Sequence, residues 1–581
     1  MDKQTLRRLV QVARGDIKAE LVIKNAQVFH AELGEFLPGD IAIEGKRIAG
    51  IGSYEGEKEI DAAGRYALPG FIDAHVHIES SMLSPAEYAR AVVPLGTTTI
   101  VADPHEIANV AGLNGLDYMS RAAEGLPLDI FYMLPSCVPA TQLEDSGARL
   151  CASELAPYLE RKNFIGLAEM MNYPGVLFGD EQVYDKLQMS ERAVVDGHAP
   201  QLSGRGLQAY AAAGIRSDHE CSTAEEARQR LAAGMYLQIR EGTAARNLRE
   251  LLPVVNSCTM PFCVFAVDDC HPAELLGEGD MNRILSRAVL QGLPAAWAIN
   301  MATINPARCY GLRFRGQLAP HFRADVLLVD SLVDFRPSMV IKDGQPVAEN
   351  GRLLVELPEL HSESLEDTVH LPELSAADLA LPCASGRAHI IGLVDRQIIT
   401  EHLELEVPTV DGCAVADPAK DILKLAVFER HHGTGTRGLG LVKGYGLRRG
   451  AVAATVAHDS HNLIVIGAND ADMLLAARTL AEVHGGLCVA ADGEVKGVLP
   501  LEIGGLMSNA CAKETAARLD EVLRAARELG IAESCDPFLT LAFLSLPVIP
   551  SLKLTNRGLV DVEQFKIIPV AVEEDAYADK E

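Results

Sequence analysis

The chain has twelve cysteines but no C-x-x-C pair among them. That spacing excludes the common structural zinc modules and argues against a disulfide framework, and it fits thiols kept reduced in a cytoplasm. Positive charge is also in short supply. With 52 Lys+Arg against 80 Asp+Glu the formal net charge is −28, a poor match for nucleic acid or an anionic membrane surface. No segment approaches the ~18 uninterrupted apolar residues of a membrane span. The N-terminal MDKQTLRRLVQVARGD reads as a short amphipathic helix and lacks the apolar core of a signal peptide. These absences lead to the expectation of a soluble, cytoplasmic protein. Apolar residues make up 48% of the 581, enough for several full cores.

Residues 19–51 and 324–355 share a texture of short strands separated by polar turns. Two such flanks around a long middle predict one small β-sandwich domain assembled from both ends of an insertion. The middle carries eight short apolar runs, GFIDAHVH, TTTIVAD, DIFYMLP, FIGLAEM, AVVDGHA, IRSDHE, MYLQIRE and FCVFAVDD. Segments such as SPAEYARAVVPLG, SGRGLQAYAAAG and TAEEARQRLAAG separate them, each opening on an N-capping Ser or Thr and ending at a C-capping Gly. Eight βα units in a row predict an α/β fold of the (β/α)8 TIM-like barrel type, with a doubly wound open sheet as the alternative. The expected division is 1–67 and 319–368 for the two parts of the small β domain, 68–318 for the barrel, and 369–581 for a C-terminal α+β domain.

The run LPGFIDAHVHIESSM ends in His75 and His77, which share one face of a strand because side chains alternate with period two. Other runs end the same way: the fourth in Glu169, the fifth in His198, the sixth in His219 with Glu220 beside it, the eighth in Asp268 and Asp269. In a barrel these are the C-terminal strand ends, where active sites form. Four imidazoles and two carboxylates there suit divalent Zn, Fe or Mn. Six ligands exceed what one tetrahedral zinc with an open position needs, and match two ions sharing a carboxylate and a hydroxide. Isolated histidines such as His321 and His484 read as structural.

PGFIDAHVHIESSM, followed in order by ADPHEIANV, AEMMNYPGV, DGHAP, SDHECS and VDDCHP, resembles the adenine deaminases of the amidohydrolase superfamily. The H-x-H after PGF-D is shared across that superfamily, whereas ESSM, DPHE and EMMN are specific to the adenine deaminases. The resemblance implies hydrolysis of adenine to hypoxanthine and ammonia by a metal-activated hydroxide. It implies two divalent ions per chain, manganese or iron before zinc, held by His75, His77, Glu169, His198, His219 and Asp268. It makes Asp268 the proton carrier, with Glu169 between the metals and His219 as a further catalytic group. Adenine and water are then the only partners expected besides further copies of the chain in a homo-oligomer. Recognition of the purine needs hydrogen bonds to its ring nitrogens, for which Glu79, Ser80 and Ser81 in the first loop, Asp103, His105 and Glu106 in the second, and Asp269 are candidates. Ser81 and Asp103 equally suit plain capping roles. Glu169 stands where dihydroorotase- and urease-like relatives carry a lysine, which argues against those. An N-acetylglucosamine-6-phosphate deacetylase is the alternative enzyme and would need cationic residues for the phosphate. A non-enzymatic scaffold would have lost ligands, and none is lost. The zinc deaminases of nucleic acids use P-C-x-x-C, which does not occur here.

Beyond residue 371 the glycines of HHGTGTRGLGLVKGYGLRRG are not a phosphate-binding loop, since no G-K-[ST] follows. His431, His432, His458, Asp459 and His461 are expected to form a polar turn, with a second metal site or closure over the base as the alternatives. LTLAFLSLPVIPSLKLT reads as buried or interfacial.

Overall fold

A computed structural model describes residues 1–572 except 244, 359, 396, 533 and 534. The two flanks do pair. Val326–Val329 runs antiparallel to Tyr66–Pro69, and around this junction nine strands from both ends of the chain join one pairing network. Ala19–His30 holds the network together because a bulge between Ile23 and Ala26 bends it, with Asn25 at φ 57°, so that it pairs with Glu35–Glu44 along one edge and with Gly56–Asp61 and Tyr66–Pro69 along the other. Tyr66–Pro69 runs past the boundary expected at 67, and only Gly70 separates it from the next strand. A side chain at Gly70 would collide with Thr98, whose Oγ1 lies 2.1 Å from the position of a Cβ.

All eight runs of the middle form parallel strands. Val194–Gly197, Phe164–Met170, Asp129–Leu134, Thr97–Ala102 and Phe71–Val76 make one sheet, and Ser217–Asp218, Tyr236–Arg240 and Cys263–Ala266 make another. The two seams are spanned by Arg216 N to Val195 O (2.9 Å) with Ser217 Oγ to Asp196 Oδ1, and by Asp268 N to His75 O (2.9 Å) with Val267 N to Asp73 Oδ1 (3.0 Å). The domain is TIM-barrel-like, and the continuous closed ladder expected of a (β/α)8 barrel is not formed among the described residues. The sixth strand, at one of the seams, is only two residues long and pairs in register with Tyr236–Arg240 alone. Between the strands the capping works largely as anticipated. Ser84 caps Pro85–Val92 by accepting from Glu87 N, and Thr223 forms a capping box with Glu226 ahead of Ala224–Ala232.

The C-terminal unit is an eight-stranded sheet between helices. In Ile422–Phe428, Leu423, Leu425 and Val427 face a core shared with helix Ala512–Glu528, while Ala426 and Phe428 face a core shared with helix Asp470–Glu482. Period-two alternation with both faces apolar is what a sheet covered on both sides requires. The late apolar segment is buried as expected, with Leu541, Leu544, Leu552 and Leu554 in the core. No helix among the described residues is long and apolar enough to cross a membrane.

Candidate metal centre and adjoining cavity

Seven of the eight strands deliver polar side chains to one point. His75 and His77 come from the first, Asp103 and His105 from just beyond the second, and Glu169 from the fourth. His198, His219, Arg240 and Asp268 come from the ends of the last four. Within this cluster His75 Nε2 lies 3.1 Å from His77 Nε2, and Asp268 Oδ1 lies 3.6 and 3.4 Å from the same two atoms. Donors about 2.0–2.1 Å from a common tetrahedral ion are about 3.3 Å apart, so this triangle has the edge lengths of a metal site. A second triangle is built from Glu169 Oε2, His198 Nδ1 and His219 Nε2, with edges of 2.7, 3.2 and 3.3 Å. Glu169 Oε1 turns the other way, to 3.4 Å from His77 Nε2. One carboxylate therefore addresses both triangles.

Neighbouring groups set the ring orientations. His77 Nδ1 lies 3.0 Å from the carbonyl of Asp103, so a neutral His77 donates its Nδ1 proton there and keeps the Nε2 lone pair for the cluster. Asp268 sits at φ 65°, with its backbone N–H donating to His75 O. This turn aims its carboxylate back over the first strand. Arg240 donates from Nη1 to Asp268 Oδ2 (2.8 Å) and to Glu220 Oε1 (2.6 Å), and from Nη2 to Glu220 Oε2 (3.0 Å). Burial alone pushes the Asp268 carboxyl up, but Arg240 and then His77 and His219 outweigh it and hold it well below the carboxylate range. Burial likewise opposes charge on Glu169, and His198 and His219 reverse the sign. The carboxylates in turn raise His77 and His219 despite their burial. Buried anions that draw positive charge onto buried imidazoles mark a place where divalent cations replace protons.

The candidate purine-reading residues divide. Ser80 donates to Glu106 Oε1 (3.1 Å) and Asp269 Oδ1 (2.5 Å) beside a cavity that Glu79, Thr243 and His271 also line. Ser81 instead closes its own turn, donating to Ile78 O (2.5 Å), and Asp103 holds His105 through N (3.1 Å) and Nδ1 (3.0 Å). The oxygens of these two are engaged in local hydrogen bonds. Burial and then Glu79 raise the Glu106 carboxyl to about 8.

The second wall of the cavity comes from the C-terminal unit through Val456, His458, Phe538 and Ala542. His458 Nδ1 is 3.6 Å from Glu106 Oε1, and Asp459 Oδ1 is 3.7 Å from His105 Nε2. The histidine-rich group thus splits. His458, Asp459 and His461 form a polar turn buried at this junction, while His432 is exposed and His431 bonds to Ser460 O (2.8 Å). Sequence reasoning missed Arg240, and it left Glu220, whose Oε1 is 3.5 Å from His198 Nδ1 and 3.4 Å from His219 Nε2, outside the ligand set. A charged residue ending a strand beside a His-Glu pair was the available signal.

Two family models match, the amidohydrolase family over residues 66–347 and the adenine deaminase C-terminal domain over 397–566. The "Adenine deaminase 2" of Carboxydothermus hydrogenoformans is 51% identical over 98% of this chain and 100% of its own length, and the adenine deaminase of Desulfatibacillum aliphaticivorans 48% over 97% and 99%. The chain belongs to the adenine deaminase family. The adenine deaminase of Kosmotoga olearia adds 45% identity over 95% of this chain and 97% of its own. Among solved structures, N-isopropylammelide isopropylaminohydrolase of Burkholderia multivorans aligns with TM-score 0.44 at 21% identity, covering 58% of this chain and 100% of that one.

Proposed function

We propose that this chain hydrolyses adenine to hypoxanthine and ammonia at the strand-end cluster, with two divalent ions. The observation that carries the reading is Glu169, whose two oxygens face two separate donor triangles, in a member of the adenine deaminase family. His75, His77 and Asp268 would hold one ion, His198 and His219 the other, and Glu169 both, with Glu220 within reach of the second. Mixed imidazole and carboxylate donors suit zinc, iron or manganese, and the resemblance to the adenine deaminases puts manganese or iron first. Ions bound there lower the pKa of the water between them and polarise the bond under attack.

The chain's own residues do the rest. Asp268 is ionised and moves the proton. Its Oδ2 is held by Arg240 and its Oδ1 is the donor facing His75 and His77, so the proton is taken up on the lone pair of Oδ1 that an ion would leave free and is passed to the departing nitrogen. Glu169 and His219 act by orienting the reacting groups. Ser80, Glu79 and Asp269 face the base from the barrel side. The same cavity counts against the sugar-phosphate alternative. Among its described lining residues there is no Lys or Arg, and Arg240, the guanidinium at the cluster, is already committed to two carboxylates. A phosphate dianion would meet acidic groups, whereas adenine brings N–H donors to them.

The test is direct. Protein reconstituted with manganese or iron is incubated with adenine, and hypoxanthine and ammonia are measured, with adenosine, cytosine and N-acetylglucosamine 6-phosphate as controls. Turnover of the amino sugar in preference to adenine would overturn the reading.

A further inference from the structure

The turn at residues 457–462, AHDSHN, is fastened on every side by its backbone. His458 N donates to Ala542 O (3.1 Å), His461 N to Ala457 O (2.7 Å), and the carbonyl of Ser460 meets His431 Nε2 (2.8 Å). Asn462 Nδ2 reaches across to the barrel, donating to Asp145 O (2.7 Å). The imidazole of His458 is stacked on Phe543, with centroids 4.7 Å apart and planes at 27°. A loop held this firmly does not need its side-chain tips for stability. Yet Asp459 Oδ2, His461 Nε2 and, facing them from the barrel, Glu106 Oε2 are buried with no hydrogen-bond partner among the described residues. Each such atom costs ~1–3 kcal/mol unless something pairs with it.

The tautomer of His461 says what that something is. Ala457 N donates to His461 Nδ1 (3.2 Å), so Nδ1 is an acceptor and the neutral ring carries its proton on Nε2. Nε2 is then a hydrogen-bond donor and not a lone pair for a metal, although Glu106, His458 and His461 lie close enough together to suggest a third ion. The free tips offer one N–H donor and carboxylate acceptors. A nucleobase with ring nitrogens and N–H groups on one flat edge is the complementary chemistry, and the neighbouring cavity opens beside Asp269, the residue after the proton carrier. We propose that this turn forms one wall of the purine site, with His461 donating from Nε2 to a ring nitrogen of the base and Asp459 accepting from a base N–H. The C-terminal unit would then complete the active site of the barrel. The inference rests on adenine being the substrate.

Adenine affinity, read as the half-saturating concentration in initial rates because the metal-loaded chain consumes the ligand, is compared in the full chain and in Asp459→Asn and His461→Phe, together with ion content. Both variants should keep their ions and bind adenine about 10–100-fold more weakly, as loss of a buried hydrogen bond predicts. Deaza-adenines, each lacking one ring nitrogen, identify the contact. At least one should lose affinity in the unmodified chain and lose no more in His461→Phe. If the unmodified chain forms hypoxanthine while both variants bind adenine within threefold of it, the inference fails and the deaminase reading survives. If the unmodified chain neither binds nor converts adenine, both fail. Should the variants not fold, hydrogen exchange of the unmodified chain decides: hypoxanthine should slow exchange across 457–462, and unchanged exchange there with hypoxanthine bound overturns the proposal.

Discussion

Replacing Glu169 by glutamine separates a two-ion centre from a one-ion centre more cleanly than removing any histidine. The carboxylate presents Oε2 to His198 (2.7 Å) and His219 (3.2 Å), and Oε1 to His77 (3.4 Å). Glutamine has the same shape, but only one of its two terminal atoms has a lone pair to give. Whichever triangle receives the NH2 loses a donor, and both lose a negative charge. At an effective dielectric constant of about 20, unit charges ~3.3 Å apart interact by roughly 5 kcal/mol, and a divalent ion feels more. An amide dipole retains a fraction of that. Removing an outer partner of a metal ligand already costs about 10–100-fold in metal affinity, so losing a ligand oxygen and its charge should exceed ~10²-fold. The expected result is a change from two tightly held ions to one after dialysis, with activity lost in proportion to the weaker ion. Elemental analysis gives the count, and in manganese-loaded protein the coupled two-ion resonance should give way to an isolated one. Glu169→Gln that retains both ions and activity within tenfold of the unmodified chain would refute the shared-carboxylate geometry.

Asp268→Asn should lower kcat by ~10²–10⁴, the range for a lost general base, while elemental analysis still finds the neighbouring ion, since His75, His77 and Glu169 remain. Adenosine should be turned over with kcat/KM at least ~10²-fold below adenine, because the C-terminal wall of the cavity leaves the ribose no place; comparable values for the two would contradict it. Glu144, buried near Asp459, has its carboxyl raised to about 8, first by burial and then by that charge. The folded chain therefore keeps a proton that the unfolded chain releases near pH 4.5, and this contribution to stability is complete below that pH and lost as pH rises toward 8. Glu144→Gln should flatten the decline in melting temperature over that window, by up to about 1.4 kcal/mol per pH unit in stability. An unaltered slope would show that the proton is not held there.

The ligand residues were legible because each stands at a strand end, where a short periodic run passes into polar residues. His75 and His77 are recognisable from period two alone, and Glu169 from its place at the end of FIGLAEM. What was not legible depends on contacts across the sequence. Arg240 looks like an ordinary strand terminus until Glu220 and Asp268, 20 and 28 residues away, fold against it. At the seam between the fifth and sixth strands, hydrophobic pattern does not set the register of a strand as short as Ser217–Asp218. The pairing of Tyr66–Pro69 with Val326–Val329 could be expected in outline, since both flanks are strand-rich, but the single nine-stranded network depends on the bend at Asn25. For Ser81 and Asp103 the sequence left two readings open because local hydrogen bonding and remote recognition use the same residue types.

Charge ties these parts together. Around the cluster and its cavity stand the carboxyl groups of Glu79, Glu106, Glu169, Glu220, Asp268, Asp269 and Asp459, most of them buried, with the guanidinium of Arg240 set against Glu220 and Asp268. Buried charge of one sign is tolerated only when it is neutralised by protons or cations. The groups divide by position. Those at the strand ends, Glu169, Glu220 and Asp268, are held ionised by imidazoles and Arg240 and so attract metal. Those farther out, Glu79 and Glu106, are pushed upward by burial and by each other or their surroundings, and stay protonated to higher pH. A barrel mouth graded in this way draws cations to its base and offers neutral and anionic carboxyls to a ligand rich in N–H groups above. Arg240 sets the grading. By taking Oδ2 of Asp268 it holds that carboxyl ionised and leaves Oδ1 facing His75 and His77.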